Sequence, residues 1–201
     1  MLEVFYHLAT DSTLKGVRAN TIRALRDSRH LIDDDYRSHP DNVRTFMAIM
    51  RSQDHVTREL DRMLNYGILG QYIPEFGAII GHMQHDLFHS YTVDQHSLRA
   101  IKFMRRLRFG VEKELFPLAS KLIHNISKKE ILYLAALLHD VGKVLPGEHE
   151  ITGAEIAEHF CAQHGLSQKD SDLVVWLIRN HLLYSQTAQR VDLADPDAIH
   201  H

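Results

Sequence analysis

The stretch Leu132-Tyr133-Leu134-Ala135-Ala136-Leu137-Leu138-His139-Asp140-Val141-Gly142-Lys143 decides how this chain is read. Alanine and leucine are strong helix formers, and no β-branched residue interrupts the run before Val141, so it predicts a buried helix. Gly142 supplies a stop, because glycine takes the left-handed conformation that closes helices. His139 and Asp140 then fall in the last turn of a core helix, where an ionisable pair is costly unless something satisfies it. A metal ion would satisfy it, since imidazole and carboxylate are both common ligands. Taken alone, the dipeptide reads as a helix cap. The remainder of the chain raises the metal reading above that one.

Working upstream, Ser127-Lys128-Lys129-Glu130 has the spacing of a capping box for the central helix. Pro117 opens an earlier helix whose apolar positions are Leu118, Leu122 and Ile123. A longer helix runs from Tyr91 to about Leu107, with Val93, Leu98, Ile101 and Met104 facing inward and Arg105, Arg106 and Arg108 at its end, where cations suit the helix dipole. His89, Val93 and His96 share one face of it. Nearer the start, helices are predicted over residues 2–9, 19–32, 43–50 (N-capped by Asp41) and 55–66 (ended by Gly67). Asp33-Asp34-Asp35 reads as a solvated acidic turn. Tyr72-Ile73-Pro74 marks a turn before a short apolar helix that reaches Ile80.

Downstream of Lys143 comes a tight loop through Pro146 and Gly147. His149 then leads a helix that ends at Gly165. Ser167 and Asp170 form a weaker capping box for a helix over Leu173–Tyr184, which carries Trp176 and His181. Asp195-Pro196 is an N-cap followed by an N1 proline, so a helix begins as the chain stops, and the expectation is an excised piece. No segment alternates like a strand. The architecture predicted is all-α, about ten helices, with a division near residues 74–82.

Composition narrows the function. The 201 residues carry a net charge of −3, which gives no bulk attraction to nucleic acid or to an anionic membrane. Neither a membrane span nor a signal segment is visible. Cys161 is the single cysteine, which fits a reducing, cytoplasmic setting and excludes a cysteine metal knuckle. Histidine is the anomaly: 16 residues, against about four or five at an ordinary frequency of roughly 2%. Polar residues interrupt apolar segments at His96, His139, Asp140, His149 and His181, and Asp192 follows the last of these helices. A divalent ion can gather such a set; its nitrogen and oxygen donors suit Mn²⁺, Mg²⁺, Fe²⁺ or Zn²⁺ without choosing among them, and Mn²⁺ or Mg²⁺, as one or two ions, is the expectation.

That ordered set resembles the HD superfamily of metal-dependent phosphohydrolases: a helix histidine (His96), the His139-Asp140 doublet followed by Val141-Gly142-Lys143, and a later aspartate. Longer blocks carry a closer resemblance. Leu31–Tyr36, Met83–His96, Tyr133–Asp140, Val174–Tyr184 and Thr187–Arg190 resemble the central region of the bacterial bifunctional uridylyltransferase/uridylyl-removing enzymes of nitrogen signalling. The resemblance implies an HD-domain helical bundle over residues 81–201. It also implies an N-terminal helical extension over residues 1–80, which would link a nucleotidyltransferase domain to the HD domain in a longer enzyme, with ACT domains following.

The same resemblance implies the reaction: metal-dependent hydrolysis of the phosphodiester that joins UMP to a tyrosine of the PII signal protein. The ligands carried over are His96, His139, Asp140 and a late aspartate, with His149 and His181 matching the extra histidines of two-metal members. Asp192 is preferred to Asp195, because Asp195-Pro196 is better explained as a cap. Asp140, if two ions bind and it bridges them, would fix their spacing, and Lys143 would either hold a phosphoryl oxygen or serve as a charge at a helix end. His85-Asp86 is a decoy doublet, although His85 and His89 could line the site. Two other readings share the sequence: an HD hydrolase of free nucleotides or cyclic dinucleotides, and a helical interaction module without catalysis.

Overall fold

The computed structural model describes residues 1–83 and 91–190. These residues form thirteen α-helices: α1 (Leu2–Thr10), α2 (Ala19–Ser28), α3 (Asp34–Ser38), α4 (Pro40–Arg51), α5 (Val56–Asn65), α6 (Leu69–Tyr72), α7 (Pro74–Ala78), α8 (Val93–Arg108), α9 (Pro117–Asn125), α10 (Lys129–Leu138), α11 (His149–Gln163), α12 (Gln168–Arg179) and α13 (Leu183–Arg190). Short 3-10 turns lie at Arg29–Leu31 and Val141–Val144. Among the described residues there is no strand, only one isolated antiparallel bridge between Met83 and Thr92. The all-α expectation holds. His85, Asp86, His89, Asp192 and Asp195 lie outside the described residues.

α10 is the central element. Every residue from Tyr133 to Leu138 is buried, as is Ile131, so the helix is apolar nearly all round. It packs against α8, α12 and α4. Complete burial of a leucine or isoleucine side chain stabilises by about 1.5–3 kcal/mol, and Leu134, Leu137 and Leu138 are all fully buried. That packing pins the C-terminal end of α10, where the polar residues begin. A single apolar cluster runs from Leu2 on α1 through Phe46 and Leu60 to Val174 and Ile178 on α12.

Several local expectations are corrected. Gly142 is not left-handed; positive φ is confined to Gly67, Gly81, Gly110, Gly147 and Gly165 among the described residues. Its role is close approach: a Cβ there would collide with the carbonyl oxygen of His149 and lie 2.9 Å from the nitrogen of Gly153. The missing side chain lets the Val141–Val144 turn rest against the first turns of α11. Ser127 does not cap α10, which starts two residues later. Glu130 turns to Arg51, whose Nε lies 3.3 Å away. Asp41 lies inside α4, capped instead by the His39 ring, and pairs with Arg44. Asp33 has a definite job as the N-cap of α3, accepting from the Tyr36 N–H at 2.8 Å.

Other differences concern packing. Arg105 is buried, and its guanidinium donates to the Gln53 and Asp54 carbonyls at 2.7 and 2.8 Å, so it clamps the α4–α5 connection rather than only complementing a dipole. On α9 only Ile123 of the three expected apolar positions is buried, because that helix packs chiefly on α8; Leu118 and Leu122 face solvent. The helix predicted over Leu173–Tyr184 is broken. α12 stops at Arg179: the Trp176 carbonyl accepts from both the backbone N–H and the side chain of Asn180, at 3.1 and 2.8 Å, the His181 N–H turns to the Ile178 carbonyl three residues back, and His181 falls in the break. The Ser167 cap is formed as expected, accepting from Asp170 N–H.

Candidate metal centre

Asp140 is the hub. It follows α10 directly and is 1% exposed. The 3-10 turn that begins at Val141 places residues three apart in line, so Lys143 returns over Asp140, with Nζ 2.8 Å from Oδ2. Four histidines from four parts of the chain converge on the same carboxylate. His139 Nε2 lies 3.1 Å and His96 Nε2 4.0 Å from Oδ2. His149 Nε2 and His181 Nε2 each lie 3.7 Å from Oδ1. The rings meet one another as well: His139–His181 centroids are 5.0 Å apart, His96–His139 and His149–His181 5.3 Å.

Local structure fixes which nitrogen faces inward. The Nδ1 of His139 lies 2.9 Å from the Ala136 carbonyl and that of His181 2.7 Å from the Ile178 carbonyl. A carbonyl only accepts, so both rings donate from Nδ1 and, when neutral, present a bare lone pair at Nε2. This is the outer hydrogen bond that orients metal-ligating histidines. His149 is the first residue of α11, held there by the Gly142 contact, and its Nδ1 lies 3.3 Å from Glu150 Oε2. His96 is set in the first turns of α8, its N–H bonded to the Thr92 carbonyl.

The result is a cluster of acceptors. Both Asp140 oxygens and His149 Nε2 are buried without a well-aligned hydrogen bond among the described residues. An imidazole lone pair cannot bond to a carboxylate, so each of these close contacts requires a cation, proton or metal, between the two atoms. Burial on its own would raise the Asp140 pKa, but the His139 ring, when its Nε2 carries a proton, and the Lys143 ammonium outweigh it and hold the carboxyl well below the usual carboxylate range. Burial holds His181 below the ordinary imidazole value, and the neighbouring His139 and His149 rings add to it. Among the described residues, two groups have the donor spacing to hold an ion, His96/His139/Asp140 and Asp140/His149/His181, with Asp140 common to both. The residues present therefore fit one or two divalent cations.

All the candidates named from sequence within the described residues come together here: His96, His139, Asp140, Lys143, His149 and His181. Asp192 and its alternative Asp195 lie outside those residues. Sequence reasoning missed the Nδ1 contacts with Ala136 and Ile178, which depend on local backbone geometry. It also gave no role to His82, one of the closely spaced histidines that precede α8.

Fold and cluster together define a class, that of α-helical bundles with a histidine–aspartate centre suited to divalent metal. The family model described as HD domain matches residues 93–199, and the chain belongs to that family. A second model, described as uridylyltransferase GlnD third domain, matches residues 1–72. Curated relatives agree along the whole chain. A bifunctional uridylyltransferase/uridylyl-removing enzyme of Pseudomonas fluorescens (strain SBW25) is 53% identical over 200 residues, 100% of this chain and 22% of that protein. Proteins of the same name from Ectopseudomonas mendocina (strain ymp) and Azotobacter vinelandii (strain DJ / ATCC BAA-1303) are also 53% identical, over 100% and 99% of this chain and 22% of each relative. The chain thus spans about a fifth of the length of these relatives. No helix among the described residues is long and apolar enough to cross a membrane.

Proposed function

We propose that this chain is the uridylyl-removing part of a longer bifunctional enzyme: a metal-dependent phosphodiesterase that hydrolyses the bond between UMP and a tyrosine of the PII signal protein. The observation that carries the reading is the acceptor cluster around Asp140, which needs cations to be stable and has the donors for two. The names of the relatives supply the uridylyl group, and the resemblance to their family supplies PII. On this reading residues 81–201 are the hydrolase domain and residues 1–80 the helical region linking it to a nucleotidyltransferase domain. The setting is the cytoplasm.

His96, His139 and Asp140 hold one ion, and Asp140, His149 and His181 a second, with Asp192 completing the set; Mn²⁺ or Mg²⁺ is favoured over Fe²⁺ or Zn²⁺. Bound there, such ions supply a water of lowered pKa and neutralise charge on phosphoryl oxygens. The chain's own residues do the positioning. Ala136 and Ile178 carbonyls lock the His139 and His181 rings. Asp140 spaces the two halves through its two oxygens. Lys143, at the edge of the cluster, holds a non-bridging phosphoryl oxygen and offsets its charge. The leaving group is a phenolate with an ordinary pKa of about 10, so the site needs no strong acid to expel it.

The test is UMP release from uridylylated PII by the metal-loaded chain, compared with His139→Ala under the same conditions. Release by the native chain, abolished by chelator and by the substitution, is expected. Cleavage of free nucleotides alone would replace PII as the substrate. Bound metal without hydrolysis of either would leave an interaction module.

A further inference from the structure

Beside the cluster lies a recess of about 250 Å³ lined by His82, Lys143, Leu145, Gly147 and His149. Lys143 and His149 both reach Asp140, at 2.8 and 3.7 Å. His82 comes from a different part of the chain, ahead of α8, and its backbone is tied down closely. The Val93 N–H donates to the His82 carbonyl at 3.0 Å, and the Gly81 N–H donates to the Asp94 carboxylate, also at 3.0 Å. Met83 pairs with Thr92. Asp94 is itself buried, so the tie is sheltered from water. These contacts fasten His82 to the first turn of α8, the helix that carries His96. Yet the His82 ring is exposed and makes no hydrogen bond, ion pair or ring contact among the described residues. The backbone is fixed, and nothing within those residues uses the side chain.

We propose that His82 and Lys143 form two sides of a subsite for the oxygens of a phosphate ester, His82 donating a ring N–H to one non-bridging oxygen and Lys143 an ammonium N–H to another. The proposal rests on the phosphodiesterase reading of the neighbouring cluster. The recess has room for a phosphoryl group and part of its ester. His139 and His181 cannot take the donor role, since each spends its Nδ1–H on a backbone carbonyl and turns Nε2 toward Asp140. A free imidazole keeps one N–H in either neutral tautomer, so the contact does not depend on His82 gaining a proton. Leu145 and Gly147 line the recess without adding side-chain charge.

The experiment uses the 201-residue chain loaded with Mn²⁺, with UMP as probe and uridine as the phosphate-free control, by titration calorimetry. His82→Phe keeps a ring of similar size and removes the donor; His82→Gln restores one. His82→Phe should weaken UMP about tenfold, the scale of a lost hydrogen bond to a charged group, while His82→Gln stays within about threefold of native. Mn²⁺ content and uridine binding should not move. Unchanged UMP affinity in His82→Phe overturns the proposal, as does an equal loss in His82→Gln or an equal loss for uridine. If the native protein takes up Mn²⁺ yet binds UMP no tighter than uridine, the phosphodiesterase reading itself fails and the subsite falls with it.

Discussion

Lys143 Nζ lies 2.8 Å from Asp140 Oδ2, one 3-10 turn beyond it in the chain. The ammonium therefore competes with a metal ion for the carboxylate that both halves of the cluster share. Replacing Lys143 by Met removes the competitor and keeps the aliphatic stem. Mn²⁺ affinity should rise by about tenfold, a modest share of the Coulomb energy of such a pair. UMP release should fall by about a hundredfold, because charge on the phosphoryl oxygens loses a partner. Metal titration and turnover on uridylylated PII read the two effects separately. A parallel fall in both would make Lys143 a structural residue.

The two halves of the cluster should come apart by substitution. Asp140→Ala removes the shared ligand and should abolish metal binding, with helix content nearly unchanged because α10 is held by Ile131 and Tyr133–Leu138. His149→Ala combined with His181→Ala leaves His96, His139 and Asp140 intact. That double variant should retain about one ion for every two bound by the native chain, in keeping with the pairing of donors at each half. Elemental analysis after desalting, with far-UV circular dichroism as the fold control, reads both. Full metal content in Asp140→Ala would move the site elsewhere.

How far the sequence could be read depended on whether a feature was local. α10 was legible because Ala and Leu fill it on every side, and the His139-Asp140 doublet stood out because it ends so apolar a run. His149 and His181 were legible as histidines at the edges of helices, but their convergence on one carboxylate is tertiary. Gly142 carried a local explanation, helix termination, when its real constraint is the backbone of His149 passing against it. The spacing of Ser127 and Glu130 was that of a capping box. The fold instead starts α10 at Lys129 and gives Glu130 to Arg51, a partner 79 positions away. At His181 the backbone leaves the helix ladder, its N–H turning to the Ile178 carbonyl three residues back, a change the apolar pattern does not encode.

Gly142→Ala tests that close approach. The new methyl meets the His149 carbonyl oxygen and the Gly153 nitrogen, both backbone, so neither can swing aside. The turn and α11 must separate, at a cost of about 1–3 kcal/mol, the usual range for overpacking. Separation also draws His149 from Asp140. The variant should melt lower and bind metal more weakly at the His149/His181 half than at the His96/His139 half. Thermal unfolding and metal stoichiometry measure the two consequences, and an unchanged melting temperature would show that the approach is looser than described.

Away from the cluster, His164 should set the acid limit of stability in the metal-free chain. Its Nδ1 lies 2.9 Å from the Phe160 carbonyl, so Nε2 accepts from the Tyr72 hydroxyl at 2.9 Å. The ring stacks on Phe160, with centroids 3.7 Å apart, and meets Phe46 edge-on. Burial lowers its pKa from 6.5 to about 4, only partly opposed by the Phe160 carbonyl. The unfolded chain then binds a proton that the folded one refuses. Stability from this group is complete above the unfolded value, about 6.5, and is lost as pH falls toward the folded value, about 4. At 1.36 kcal/mol for each unit, the loss amounts to about 3 kcal/mol across that window. Urea unfolding at a series of pH values should show this slope in the native protein, and His164→Gln should flatten it. Tyr72→Phe leaves Nε2 buried without a donor, so it should lower stability at neutral pH by about 1–3 kcal/mol. It should also reduce the acid slope, because an unpaired Nε2 takes up a proton more readily. A native slope that persists in His164→Gln would assign the acid sensitivity to another group.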